Sequence, residues 1–489
     1  MSGDDAIARA DLRAQARQVL MTALLLAVVA ALLRFAKLGA WSFWSDEAAT
    51  LRDAQNLAGV RGYPIGYALI GGFVRLFGDS EFAARFIPAL VGSLTPAAIY
   101  LTGRRLFSER AGIIAGALLA LSSYHLFFSQ FARYYTLVML LGVGAMWCGY
   151  LAIEHNRRRD AALSVALLAL AVLTHWSALM LAPALAIYAL VRLREGYDWR
   201  RNGWTLAILF GPMLLGLLAA FPQLLHFALS WRAHEGFSPA RFALFWIKMA
   251  DRVEVPVLLC AVAGGWMLWR LRDPRLAWLA AFAGVPLFLT ALFVGFAEGG
   301  SRFGLVALPP FLLLAGYLAD QFIDLSRDRA RTVAWMLLAL VLVSAGLRDA
   351  FYFTAEQGER PRWRDATEYV LSKGEPGARV AAAAPEVYDY CARRLGFPGR
   401  KAEPLVIPPC EGSYDPSQSS DAASRGAEER ATFYIITEQV SNMAPTAEQQ
   451  RWLDEHATLE KSFPLTVRLL DYSVLVYRVD TVRGTSTTK

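Results

Sequence analysis

Residues 104–159 contain two long apolar runs between clusters of arginine: RRLFSERAGIIAGALLALSSYHLFFSQFARYYTLVMLLGVGAMWCGYLAIEHNRRR. An α-helix needs about 20 predominantly apolar residues to cross the hydrocarbon core of a bilayer. Short cytoplasmic loops collect lysine and arginine, so both clusters belong on the cytoplasmic side. The segment therefore predicts a pair of transmembrane helices joined by a polar outer turn near residues 125–134.

The same alternation of apolar runs and arginine clusters continues from residue 19 to residue 348. The first run follows a basic N-terminus and continues through Leu38, which favours a retained signal anchor over a cleaved signal peptide. An odd number of spans with a cytoplasmic N-terminus places everything after Ala350 on the outer side. The predicted spans number about 11 and cover residues 19–38, 82–103, 111–124, 135–153, 161–174, 176–192, 203–222, 254–270, 276–296, 304–322 and 332–348.

Composition supports a membrane protein. Of the 489 residues, 56% are hydrophobic and 19% charged, against roughly 45–50% and about 25% in soluble globular proteins. The net charge of +7 comes from arginine clusters between apolar runs, so membrane topology explains it and no nucleic-acid partner is expected. The predicted fold class is a polytopic α-helical membrane protein with a transmembrane domain, residues 1–350, and a C-terminal extracytoplasmic α/β domain, residues 351–489.

The first outer loop, residues 39–81, is long and mixes tryptophans, charges and a second apolar stretch interrupted by glycine. These features predict helices that lie on the outer surface of the membrane. From residue 356 the sequence becomes charged and mixed, which indicates a soluble domain. Its predicted helices are residues 364–373, 385–395 and 447–456, and its predicted strands are residues 379–384, 431–436 and 472–479.

Two of the four cysteines, Cys391 and Cys410, fall in this predicted outer domain. An oxidising compartment permits a disulfide between them that closes a loop of about 20 residues. Two unrelated thiols are the alternative.

Familiar soluble machinery is absent from the sequence. It contains no GxxxxGK[ST] phosphate loop, no HExxH and no paired CxxC motif, so ATP drive, zinc hydrolysis and dinucleotide redox chemistry lack support. The predicted topology instead gathers polar side chains on the outer face. Charged groups near the bilayer are costly unless they are paired or serve a site, so the sequence predicts an outer cavity that contains carboxylates and arginines.

Four stretches carry a family resemblance: WSFWSDEAATL (residues 41–51), residues 63–140, LTHWSALML (residues 173–181) and SRFGLVALPPFLLLAG (residues 301–316). In this order and spacing the chain resembles the bacterial dolichyl-phosphate-mannose-protein mannosyltransferase-like family, which are GT-C membrane glycosyltransferases related to lipid A aminoarabinose transferases. The resemblance implies an enzyme that takes a sugar from a polyprenyl phosphate carrier and attaches it to an extracytoplasmic acceptor. Together with the arginine bias it implies the bacterial inner membrane, with the C-terminal domain in the periplasm.

The resemblance also implies that the acidic residue of the first outer loop, Asp46, is catalytic. Transfer with inversion needs a carboxylate that accepts a proton from the acceptor as it attacks the anomeric carbon. The alternative is that Ser45 and Asp46 cap a helix. Glu47 is the second catalytic candidate, with metal binding, sugar binding or simple solvation as its open roles.

Arg133 and Arg302 are lone outer basic residues beside predicted spans. Guanidinium groups bind phosphate oxygens bidentately, so both are candidates for holding the donor phosphate. Snorkelling to lipid headgroups is the alternative.

The remaining candidates would line a sugar or acceptor cavity. Each has a structural alternative: the histidine could simply be hydrogen-bonded within the fold, the glutamate could be solvated in a loop, and the aromatic residues could lie at the membrane interface. They are His175, Gln130, Tyr134, Tyr135 and Glu298. A divalent cation is an open cofactor, and the expected partners are the polyprenyl-phosphate sugar, the lipid bilayer and an envelope glycan, glycolipid or protein acceptor.

Two other functions stay open. A lipid or glycolipid transporter would place charged or broken helices at mid-membrane. A non-catalytic scaffold would tolerate the loss of Asp46.

Overall fold

The structure, a computed structural model, describes residues 3–57, 64–196, 198, 200, 202–232, 236–296, 301–325, 328–374, 378–405, 432–440 and 443–480. The chain is predominantly helical and divides into two compact units. The first unit comprises Met1–Leu38 and Asp53–Ala350. The second comprises Gly39–Arg52 and Phe351–Lys489.

Helices account for most of the chain up to Phe353. They are α1 (Gly3–Phe35), α2 (Ser45–Gln55), α3 (Pro64–Phe77), α4 (Glu81–Leu106), α5 (Glu109–Ala120), α6 (Ser123–Ser129), α7 (Tyr135–His155), α8 (Arg158–Thr174), α9 (Leu181–Arg194), α10 (Gly203–Arg232), α11 (Pro239–Val253), α12 (Val255–Arg270), α13 (Arg275–Phe296), α14 (Leu308–Leu325) and α15 (Asp328–Phe353). Two 3-10 helices, Trp176–Met180 and Ser301–Ala307, precede α9 and α14.

Among the described residues, seven helices are long and apolar enough to cross a membrane. Two further pairs, α5 with α6 and α11 with α12, meet this criterion together but bend by 59° and 96°. The chain therefore contains at least seven candidate spans, and the count of 11 stays a prediction.

The predicted span 111–124 is broken in the structure. Helix α5 ends at Ala120 and α6 begins at Ser123. Ser122 has an extended backbone and its hydroxyl accepts the backbone N–H of His125 at 3.4 Å, which is the geometry of a helix N-cap. The serine pair in ALLALSSYHLFF thus starts a new helix with a different direction.

Small residues let the helices of the first unit pack closely. A Cβ added at Gly112 on α5 would lie 2.5 Å from the carbonyl oxygen of Tyr100 and 2.6 Å from the amide nitrogen of Arg104, both on α4. Only glycine allows this approach of two helix backbones. Helices α4 and α5 thereby form a rigid centre against which α1 and α14 pack.

The second unit contains a mixed sheet and three helices. The helices are α16 (Trp363–Ser372), α17 (Pro385–Arg394) and α18 (Ala447–His456), preceded by the 3-10 helix Gln357–Glu359. The strands are β1 (Arg379–Ala382), β2 (Glu403–Pro404), β3 (Thr432–Glu438), β4 (Thr458–Phe463), β5 (Thr466–Val467), β6 (Leu470–Asp471) and β7 (Val474–Asp480).

Five of these strands form one sheet in the order β2-β1-β3-β7-β4. Strand β1 runs parallel to β2 and β3, whereas β7 is antiparallel to both β3 and β4. Leu453 of α18 packs on one face with Ile435 and Tyr477. Glu438, on the alternate face of β3, contacts Trp363 of α16.

Each element predicted for the C-terminal region has a counterpart within a few residues, and α18 has its predicted bounds. Strand β4 was not predicted, because most of its residues are exposed and its sequence TLEKSF is polar. The predicted pairing of Cys391 with Cys410 lies outside the described residues, since Cys410 is not among them.

Residues 39–52 group with the second unit, although the sequence analysis assigned them to the transmembrane domain. Three aromatic contacts explain the difference. Trp41 stacks on Phe353 with ring centres 6.0 Å apart. Phe43 and Trp44 contact Tyr390 and Tyr472 at 4.7 and 5.6 Å. These contacts bury the aromatic side chains of residues 41–44 against the C-terminal part of the chain.

Candidate functional site

Asp46 and Glu47 form the first turn of α2. The backbone N–H groups of Glu47 and Ala48 both donate to the carbonyl oxygen of Trp44, at 2.9 and 3.0 Å. Asp46 is half-buried and lies inside the turn, one residue after the helix begins at Ser45. An acidic side chain in this position is favoured by the positive end of the helix dipole.

Glu47 is fully buried. Its Oε2 atom accepts the backbone N–H of Trp44 at 3.0 Å, as in a capping box. The same oxygen lies 3.1 Å from Nε of Arg360, which is also buried. Glu47 therefore holds the start of α2 against a guanidinium from the C-terminal part of the second unit.

In the first unit, Arg133 and Tyr134 lie in the turn between α6 and α7, and Tyr135 begins α7. Tyr134 packs against Tyr67 of α3, with ring centres 5.6 Å apart. A Cβ at Gly66 would overlap the Tyr134 ring, so this glycine is required for the close approach. Burial raises the pKa of the Tyr134 hydroxyl, which keeps that group neutral.

His175 lies beside this turn, between α8 and the 3-10 helix Trp176–Met180. Its Nδ1 atom accepts the backbone N–H of Ser177 at 3.1 Å and lies 2.7 Å from the Ser177 hydroxyl. The rings of Tyr134 and Tyr135 each lie 5.4 Å from the imidazole. Burial, with a further contribution from the guanidiniums of Arg133 and Arg302, lowers the pKa of His175 to about 3.

Arg302 reaches the same histidine from the 3-10 helix Ser301–Ala307. Its guanidinium carbon lies 5.3 Å from the ring centre of Phe303, and this phenylalanine stacks on His175 at 5.5 Å. Two half-buried arginines thus both contribute to keeping the imidazole neutral. The resulting positive potential suits an anionic ligand such as a phosphate.

A small cavity, with about 10 Å³ of space for water-sized molecules, adjoins the turn in the first unit. Leu69 and Ile70 of α3, Ile87 and Val91 of α4 and Leu137 of α7 line it, together with Arg133 and Tyr134. The lining is mostly apolar and includes Arg133, and the enclosed space is far smaller than the roughly 300–1,000 Å³ of a typical ligand pocket.

Gln130 is buried, and its amide serves the end of α1. Nε2 donates to the carbonyl oxygens of Arg34 and Ala36 at 3.0 and 2.7 Å, and so satisfies carbonyls that a helix C-terminus leaves without partners. Glu298, the remaining predicted cavity residue, lies outside the described residues.

Sequence reasoning did not single out Arg34 or Arg360. Arg34 interrupts an apolar run, which is itself a signal for a functional or paired charge. Arg360 gives no such signal, because its partner Glu47 is 313 positions away in the chain. Among the described residues, no group of three or more His, Cys, Asp or Glu side chains could hold a metal ion.

Known proteins resemble this chain in part of its sequence and in its architecture. Residues 62–226 match the family model of the dolichyl-phosphate-mannose-protein mannosyltransferases. No curated protein sequence matches the chain significantly.

Three solved structures are similar over most of the chain. ArnT from Cupriavidus metallidurans in the apo state has a TM-score of 0.56 at 13% identity, covering 93% of this chain and 97% of that one. The same protein bound to undecaprenyl phosphate has a TM-score of 0.54, with the same identity and coverage. The Archaeoglobus fulgidus oligosaccharyltransferase in the apo form has a TM-score of 0.53 at 16% identity, covering 85% and 69%.

The chain therefore has the fold of GT-C membrane glycosyltransferases and is similar, over residues 62–226, to the dolichyl-phosphate-mannose-protein mannosyltransferases.

Proposed function

We propose that this protein transfers a sugar from a polyprenyl-phosphate donor to a glycolipid, polysaccharide or protein acceptor on the extracytoplasmic face of a bacterial inner membrane. The observation that carries the proposal is that the guanidiniums of Arg133 and Arg302 both act on the buried His175, with Arg302 stacked on the phenylalanine that contacts this histidine. Arg133 also lines a small, mostly apolar cavity. The undecaprenyl phosphate bound to the C. metallidurans protein of similar fold supports a donor of this class.

In the proposed reaction the acceptor oxygen or nitrogen attacks the anomeric carbon of the sugar. The bond between that carbon and the phosphate oxygen breaks, and the electron pair leaves with the polyprenyl phosphate. Asp46 accepts the proton that the acceptor loses. Arg133 and Arg302 stabilise the charge that develops on the leaving phosphate, while His175, Tyr134 and Tyr135 line the sugar or acceptor side.

The proposal needs no metal ion. A sugar-loaded polyprenyl phosphate already carries its leaving group, and two guanidiniums supply positive charge where negative charge develops on the phosphate.

We also propose that 11 spans place the N-terminus in the cytoplasm and residues 351–489 in the periplasm.

Binding of undecaprenyl phosphate to the purified protein tests the role of the arginines. Removing a charged hydrogen bond to phosphate costs about 1.5–3 kcal/mol, so Arg133→Gln and Arg302→Gln should each raise Kd by about 10- to 100-fold. Arg158→Gln, at an exposed position at the start of α8, is the matched control and should bind like wild type. Unchanged Kd in both variants would refute the proposed phosphate site.

A further inference from the structure

The ion pair between Glu47 and Arg360 joins the helix that carries Asp46 to the C-terminal part of the chain. Both side chains are at most 2% exposed. One carboxylate oxygen of Glu47 receives two hydrogen bonds, from Nε of Arg360 at 3.1 Å and from the amide of Trp44 at 3.0 Å. Oε2 of Glu47 therefore holds both the Arg360 guanidinium and the backbone at the start of α2.

A strained turn presents Arg360 to this carboxylate. Gln357, Gly358 and Glu359 all have positive φ angles, of 46°, 68° and 54°. Nη1 of Arg360 donates to the carbonyl oxygen of Gly358 at 2.7 Å, and a Cβ at Gly358 would overlap the ring of Trp41. Such backbone conformations persist only where the surrounding structure determines them, and they concentrate at functional positions.

A second buried ion pair braces the turn. Glu359 lies 3.4 Å from Nε of Arg468, and their side chains are 2% and 8% exposed. The carbonyl oxygen of Glu359 accepts the indole N–H of Trp44 at 2.9 Å. The residue before α2, Trp44, is thus bonded to Glu359, and the adjacent Arg360 is bonded to Glu47 in the first turn of α2.

Stability alone does not explain a buried ion pair of this kind. Replacing a buried pair by apolar residues is often neutral or stabilising, because the desolvation cost offsets the attraction. Unlike apolar side chains, the hydrogen-bonded charges of Glu47 and Arg360 hold the two residues in one defined arrangement. Asp46 directly precedes Glu47 in the same helical turn, so that geometry fixes the position of the Asp46 backbone.

We propose that Arg360 is a positioning residue for sugar transfer: through Glu47 it orients the first turn of α2 and thereby aims the Asp46 carboxylate at the acceptor. The inference rests on the proposed function. It assigns the C-terminal part of the chain a role in catalysis, and it gives Glu47 a positioning role in place of direct contact with substrate.

The test compares Arg360→Met with the double variant Glu47→Gln/Arg360→Met. The single variant leaves the Glu47 carboxylate buried without its cation, so it should lose both thermal stability and activity. The double variant removes both charges and keeps an acceptor for the Trp44 amide, so its stability should return. A displacement of about 1 Å costs roughly 100-fold in rate, so we expect kcat of the double variant to stay about tenfold or more below wild type, with the donor KM within about twofold.

Transfer is measured with the full chain in a membrane and periplasmic extract from a deletion strain, which contains the lipid, glycan and protein acceptors as well as the polyprenyl-phosphate donors. Hydrogen exchange of residues 45–55 gives a second readout, which should be faster in both variants. The matched control is Glu403→Gln/Arg379→Met, which removes a partly exposed ion pair between β2 and β1 and should match wild type in both measurements.

The outcomes separate the two proposals. If wild type transfers sugar and the double variant recovers kcat together with stability, the positioning role is wrong and the proposed function stands. If wild type transfers no sugar from any polyprenyl-phosphate donor in the extract, the proposed function itself fails.

Discussion

Nη1 of Arg34 donates a hydrogen bond to the carbonyl oxygen of Ala120 at 2.9 Å, and this bond ties α1 to the break between α5 and α6. Nη2 donates to the carbonyl oxygen of Leu119 at 3.0 Å and lies 2.9 Å from Nδ1 of His125. The guanidinium thus satisfies the carbonyls that the end of α5 exposes. A buried arginine in an apolar helix serves here as a cap for another helix.

Arg34→Met should therefore destabilise the first unit. It leaves the buried carbonyl of Ala120 without its donor, at a cost of about 1–3 kcal/mol, whereas the carbonyl of Leu119 still accepts the backbone N–H of Ser122 at 3.2 Å. Thermal unfolding in detergent measures the effect. Arg17→Met, at an exposed position on the same helix, is the control. Equal melting temperatures for the two variants would show that the break in the helix does not depend on Arg34.

Gly66→Ala should disturb the turn that carries Arg133. The added methyl group overlaps the Tyr134 ring, and overpacking of this kind costs about 1–3 kcal/mol. We expect a lower melting temperature and weaker binding of undecaprenyl phosphate. Gly72→Ala lies on the same helix with nothing within 4 Å of its Cβ, and it should leave both quantities unchanged.

Acid should weaken the fold through His175. The pKa of His175 is about 3 in the folded protein, against about 6.5 in an unfolded chain. Between these values the unfolded state binds the additional proton, so stability is complete above pH 6.5 and falls by up to about 1.4 kcal/mol per unit as the pH drops below it. His175→Asn, which can still cap Ser177, should reduce this slope between pH 6.5 and 4.5. The slope is followed by chemical denaturation at each pH, and His155→Asn at an exposed position should retain it.

Glu438 should produce the opposite pH dependence in the second unit. Burial raises the pKa of its carboxyl group to about 7, and Oε2 accepts the indole N–H of Trp363 at 2.6 Å. The folded state then holds a proton that the unfolded state loses above about pH 4.3, so this contribution is complete below that pH and is lost as the pH rises towards 7. Glu438→Gln should slow hydrogen exchange of β3 at pH 8 and change it little at pH 4.5. Glu448→Gln, exposed on α18, should have no effect at either pH; the same exchange rates in Glu438→Gln and wild type at pH 8 would contradict the prediction.

Local patterns in the sequence predicted most of the helices and the strands β1, β3 and β7, because apolar periodicity, caps and turns act over a few residues. The run 135–153, for example, became α7 (Tyr135–His155). Strand β4 and the break at Ser122 were missed, since an exposed edge strand has no apolar pattern and a serine cap competes with a continuous run. The partnership of Glu47 with Arg360 could not be predicted at all, because nothing near either residue specifies a contact over 313 positions.

The sequence pointed to Arg133, His175 and Arg302 as separate candidates, and in the structure both arginines contribute to lowering the pKa of this histidine. It favoured Asp46 as the catalytic carboxylate and left the role of Glu47 open. The two residues differ in burial: Glu47 is fully enclosed, whereas Asp46 is half-buried. This difference agrees with the proposal that Asp46, and not Glu47, contacts the substrate.

The central claim is that Asp46 accepts a proton during sugar transfer. The most direct measurement is a mass-spectrometric profile of membrane lipids, envelope glycans and secreted proteins from a deletion strain complemented with wild type, Asp46→Asn or Asp53→Asn, a matched change on the same helix. We predict a sugar-sized mass difference that wild type and Asp53→Asn restore and that Asp46→Asn, present at equal level, does not. Full restoration by Asp46→Asn would contradict the catalytic role and favour a transporter or a scaffold.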